Sequence, residues 1–221
     1  MFKRMVFAIA LIFALSAPAM AEVNGLYGGL KFLDSIQSTG ATSHSKNFDY
    51  FGIDTYGQNT VGGGVFAGYD FYPKFNAPFR VEVEYDMRSS ARTEWSGTKN
   101  TRTGSIDATW NVNTLFANAY WDFHNSSKFT PYIGGGLGMG FINSNYDIHG
   151  RNGESMSASS MNTVFAWNVG AGCSYAFTDN VSADLAYRYV GLGKNKTSYN
   201  DDSITTNPAM NEVSLGLRLT F

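Results

Sequence analysis

The chain has 221 residues, of which 43% are apolar and only 15% charged, against roughly 25% charged in an ordinary soluble domain. Its 16 basic residues are offset by 18 acidic ones, which gives no positive field for nucleic acid; the one cysteine, Cys173, excludes an internal disulfide and a multi-thiolate zinc site. Aromatics at 15%, with 24 glycines and 5 prolines, speak against a helix bundle and for an all-β protein.

Residues 1–21 read as a cleaved secretory signal peptide, leaving 22–221 as the expected mature domain. Lys3 and Arg4 open it, Met5 to Leu15 is its apolar core, and Ala19-Met20-Ala21 is a small-x-small cleavage site. No cysteine stands at that point for a lipid anchor. No later apolar run approaches the roughly 20 residues of a membrane helix. A mature chain that crosses a membrane therefore crosses it as a barrel.

Eight stretches then alternate with period two, the strand signal: 25–35, 60–72, 79–90, 110–123, 131–145, 163–177, 181–193 and 211–221. In the third, Phe79, Val81, Val83, Tyr85 and Met87 oppose Arg80, Glu82, Glu84, Asp86 and Arg88. In the last, Val213, Leu215, Leu217, Leu219 and Phe221 oppose Glu212, Ser214, Gly216, Arg218 and Thr220. Short links at Pro73 to Pro78, His124 to Thr130 and Thr178 to Asn180 alternate with long polar connections. That pattern predicts an eight-stranded antiparallel up-and-down transmembrane β-barrel with short periplasmic turns and long extracellular loops.

A soluble lipocalin-like barrel shares this topology. Aromatics gathered beside the short turns (Tyr69, Phe71, Phe79, Trp121, Phe123, Tyr175 and Phe177) favour the membrane, where a girdle marks the interface. Eight strands leave an interior just wide enough for side chains, so the face of glycines and charges is assigned to the lumen. Cys173 falls on the lipid-facing register beside Val169 and Ala171 and reads as an inert buried thiol.

The signal peptide, the run Gly25-Leu26-Tyr27-Gly28-Gly29-Leu30, the run Pro131-Tyr132-Ile133-Gly134-Gly135-Gly136-Leu137-Gly138 and the terminal Phe221 resemble the small bacterial outer-membrane β-barrel family. That family includes opacity-type proteins and OmpA- and OmpX-like membrane domains. The resemblance covers the whole mature chain and implies outer-membrane lipid as surroundings. It also implies that the barrel assembly machinery reads Phe221 as its signal. The family's motifs specify fold better than activity.

The strongest polar constellation is a lumen network of Lys31, Asp70, Arg80, Glu82, Glu84, Asp86, Arg88, Asp122, Asp184, Arg188, Glu212 and Arg218. Buried charges must pair, so a structural polar plug is expected, with an ion gate as the alternative. His44, His124 and His149 read as loop or turn residues without ligand spacing. His149 with Ser155 or Ser157 is the one pairing that a lipid-modifying enzyme would need, and no motif surrounds it. Gly62-x-Gly64-x-x-Ala67 lacks the turn and helix of a phosphate loop.

Loop residues Tyr50, Phe51, Tyr56 and Trp95 are candidate contacts for host or matrix molecules. The expected protein is a non-catalytic monomer of the outer membrane, without cofactor, whose loops meet adhesion, host or envelope partners. A narrow porin-like channel for ions or small solutes is the alternative.

Overall fold

A computed structural model describes residues 25–44, 56–99, 102–149, 155–199 and 202–221. The expected signal peptide and cleavage site lie outside them. Ten strands are present: β1 (Leu26–His44), β2 (Tyr56–Asp70), β3 (Phe79–Arg88), β4 (Ala91–Lys99), β5 (Arg102–Asp122), β6 (Phe129–His149), β7 (Ser155–Ala176), β8 (Val181–Leu192), β9 (Asn195–Tyr199) and β10 (Asp202–Thr220). Eight of them, in the order β1-β2-β3-β5-β6-β7-β8-β10, pair antiparallel and close through a β1–β10 seam. The seam runs from Tyr27 opposite Thr220 to His44 opposite Ile204, and the Phe221 N–H donates to the Leu26 carbonyl at 2.8 Å.

Alternation sets the two faces. Leu217 is 51% exposed on the outside, while Glu212, five residues earlier, is fully buried inside. On β3, the eight-residue rise from Phe79 to Met87 spans about 20 Å along the barrel axis, at ~3.3 Å per residue and a tilt of roughly 40°. The periplasmic end carries the expected girdle. Phe71 stacks on Phe79 at 4.4 Å and meets Tyr69 at 4.9 Å, and Tyr175 lies 4.8 Å from Phe129 and 5.1 Å from Phe177. The turn between β2 and β3 holds a four-residue helix, α1 (Tyr72–Phe75), with proline in its first turn. Asn76 ends α1 in the left-handed region at φ 51°.

The expected long loops are largely strand. β4 pairs with β5 from Ala91 opposite Trp110 to Lys99 opposite Arg102, and β6 with β7 as far as His149 opposite Ser155. β9 pairs with β10, so Ser, Thr and Asn there sit in a ladder. Backbone pairing continues beyond the stretches whose sequence alternates, so the periodicity fades where the ladder does not. Above the rim the sheet divides. β8 stops at Leu192 and β3 at Arg88, leaving β4-β5-β6-β7 on one side and β9-β10-β1-β2 on the other.

Candidate functional site

Every member of the lumen network that β3 contributes stands on one face, since Arg80, Glu82, Glu84, Asp86 and Arg88 are all buried and alternate with exposed or half-buried neighbours. At the centre is Arg188 of β8. Its guanidinium donates to Glu84 Oε1 at 2.5 Å, to Asp86 Oδ2 at 2.6 Å and to Glu212 Oε1 at 2.6 Å. Arg88 reaches Glu212 Oε2 at 2.7 and 2.9 Å, and Ser35 donates to the same oxygen at 2.6 Å. Lys31 pairs with Glu84 and lies 3.6 Å from Asp86. Three cations (Lys31, Arg88 and Arg188) thus meet three carboxylates (Glu84, Asp86 and Glu212), which is what offsets their desolvation.

Small residues make room for this cluster. A Cβ on Gly64 would stand 2.1 Å from Asp86 Oδ1, and one on Gly170 would stand 2.6 Å from the Arg188 Cβ. The loose dinucleotide pattern at Gly62 is accordingly mid-strand packing in β2.

Nearer the periplasm the chemistry changes from ion pairs to aromatic rings. The Arg80 guanidinium sits 4.6 Å from the Tyr120 ring centre and 4.5 Å from that of Tyr132. Its Nε is 3.2 Å from Asp122 Oδ2, an ion pair whose geometry is not that of a hydrogen bond. Glu82 is held by phenols, with Tyr27 donating at 3.1 Å and Tyr120 at 3.3 Å. Arg218 donates to Ser174 and Ser182 at 2.8 and 3.0 Å and lies 3.6 Å from Asp184. Arg80 and Asp184 border an internal cavity of about 50 Å³, space on the order of a few water molecules.

Asp70 stands at the periplasmic end of the network, on the same vestibule as Asp122 and Arg218. Its Oδ1 accepts the Tyr72 N–H at 2.9 Å, so it fixes the start of α1 while lining a polar vestibule of about 160 Å³ at the periplasmic mouth. On the ladder it stands opposite Arg80.

Sequence reasoning missed the other end of the lumen. Val112, Phe116, Ile142, Val164, Ala166, Val190, Leu192 and Met210 form one buried cluster inside the barrel. It fills the extracellular half above the ion cluster, and Phe116 lies where the two meet, its ring centre 5.6 Å from the Arg188 guanidinium. The signal was a lapse in alternation: Leu115-Phe116, Phe141-Ile142 and Tyr189-Val190 are apolar on both faces.

Of the candidate contact residues, Tyr50 and Phe51 lie outside the described residues. Tyr56 opens β2 opposite Thr39, and Trp95 is in β4 opposite Ile106; both belong to strands rather than loops. His44 and His149 likewise close β1 and β6, and His149 is the ladder partner of Ser155. His124 stacks on Tyr72 at 3.6 Å. Among the described residues no cluster of His, Cys, Asp or Glu has the make-up of a metal site. Cys173 is half-buried rather than buried, its Sγ 3.7 Å from the Ser174 carbonyl.

Comparison with known proteins agrees with this architecture. The chain is 35% identical over 181 residues to outer membrane protein PagN of Salmonella typhimurium, covering 74% of each chain. It is 30% identical over 125 residues to a putative adhesin of Rickettsia bellii, covering 53% of this chain and 55% of that one. The outer membrane protein OprG of Pseudomonas aeruginosa superposes with a TM-score of 0.53 at 14% identity, over 90% of this chain and 97% of that one. The outer membrane protein beta-barrel domain family matches residues 7–221, so the chain belongs to that family and resides in the bacterial outer membrane.

Proposed function

We propose that this protein is a non-catalytic surface-contact protein whose barrel is sealed and whose two raised sheets meet host or matrix molecules. The observation that carries the reading is the apolar cluster across the extracellular half of the lumen, stacked on a charge-balanced ion cluster. A conducting path would have to part both. What faces outward is a pair of β-sheets, in which β4 and β9 each have a single ladder partner among the described strands. A strand edge of this kind offers backbone donors and acceptors to an extended polypeptide. The putative adhesin among the relatives supports the same role. Phe221, hydrogen-bonded at the barrel seam, is proposed as the signal read during assembly, and the lumen network as its structural core.

The test is adherence. A non-adherent strain expressing the protein should gain binding to immobilised host cells or matrix. Shortening the β9–β10 hairpin, or the β4–β5 hairpin that carries Trp95, should remove that gain while the barrel still resists detergent until heated. Undiminished binding by both trimmed forms would refute the role of the raised sheets.

A further inference from the structure

The lipid-facing wall is not uniformly bulky. Ala67, Ala117, Ala119 and Gly135 face outward on β2, β5 and β6 and lie in two adjacent ladder rows, Val81–Ala119–Gly135 and Ala67–Val83–Ala117–Leu137. The row below carries Trp121 and Ile133, both about half exposed, and the row above carries Leu115 and Met139. The result is an oblique furrow of about 960 Å³, bordered by Leu26 and Tyr69 at its periplasmic end and by Leu137 and Trp167 at the other. Its volume is at the upper end of the roughly 300–1,000 Å³ range of small-molecule sites.

Two observations say what covers it. The furrow is continuous with the belt that contacts membrane hydrocarbon, so an acyl chain is already its neighbour. Its periplasmic mouth also leads to a cation. Tyr69 meets Phe71, Phe71 meets Phe75 at 6.0 Å, and the Lys74 Nζ stands 5.5 Å from the Phe75 ring centre. Among the described residues, no carboxylate lies within ion-pair distance of Lys74, which is exposed on α1 at headgroup level. We propose that the furrow seats an acyl chain of an anionic phospholipid from the periplasmic leaflet, with its phosphate on Lys74. Headgroup charge selects the lipid, and the small side chains let its chain lie against the strand backbones.

Native mass spectrometry on the mature barrel decides the matter. Protein reconstituted in phosphatidylcholine vesicles containing phosphatidylglycerol, then released in mild detergent, should retain one phosphatidylglycerol in preference to phosphatidylcholine. Ala117→Leu with Ala119→Leu fills the furrow from the outside and should abolish retention, whereas Ala171→Leu, outside the furrow, should not. Lys74→Glu, at an exposed turn position that leaves the strands untouched, should remove the preference, and Lys74→Arg should keep it. A gel shift on heating verifies that each variant is folded. The proposal fails if the wild type retains no lipid, if the filled furrow retains as much as the wild type, or if Lys74→Glu keeps the preference. A lipid-free dimer that the furrow-filling changes dissociate would assign the surface to a second copy and also overturn it.

Discussion

Around Arg188 the lumen is filled by charges that satisfy one another, whereas nearer the cell surface, around Met210 and Leu192, it is filled by hydrocarbon. The first region tolerates no missing partner, because a buried carboxylate that loses its cation keeps the whole desolvation cost. In the second, each side chain contributes by area and shape, and a truncation costs in proportion to the hole it leaves. On the proposed sealed-lumen reading these are two seals of different chemistry in series, and each is expected to stay shut when the other is damaged.

The comparison is broken most severely at Arg188. Arg188→Ala leaves the three carboxylates Glu84, Asp86 and Glu212 with only Lys31 and Arg88 to offset them and should cost about 3–5 kcal/mol, read as a lower urea midpoint for unfolding of the reconstituted barrel. Met210→Ala, in the apolar seal, should cost about 2–5 kcal/mol, and its conductance should stay at background because the ion cluster beneath it is whole. Leu217→Arg sharpens the contrast between faces, since a midplane arginine towards lipid costs about 2–4 kcal/mol. Arg218→Ala, one residue along, should act through Ser174, Ser182 and Asp184 instead. Equal assembly yields for arginine and leucine at 217 would contradict the register. Tyr120→Phe should have the smallest effect, about 1 kcal/mol, because Tyr27 still donates to Glu82 at 3.1 Å.

Strand positions, the inward face of β3 and the short turns were readable from alternation alone, because lipid outside and a packed lumen inside impose opposite chemistries on successive residues. The ends of β1, β5, β6, β7 and β10 were not. From Ser155 to Ser160 the residues are almost all small or polar, so nothing in their pattern records the ladder that continues there. The identity of the lumen's charged residues was legible, but their partners were not. That Arg188 is shared by Glu84, Asp86 and Glu212, while Arg80 turns to Tyr120 and Tyr132, depends on how far each row climbs round the tilted barrel. The apolar cluster was missed for a related reason. Val190, Leu192 and Met210 share the lumen-facing register of Arg188 and Glu212, and only closure of the barrel shows that they pack against one another across the lumen.

Single-channel recording in a planar lipid bilayer tests the sealed lumen most directly. The mature wild-type barrel, Arg188→Ala, Met210→Ala and the double variant would be reconstituted under identical conditions. Two seals in series predict background current for the wild type and for each single variant, and discrete openings only when both seals are cut. Discrete, ion-selective openings by the wild-type protein would contradict the account and make the lumen a pore.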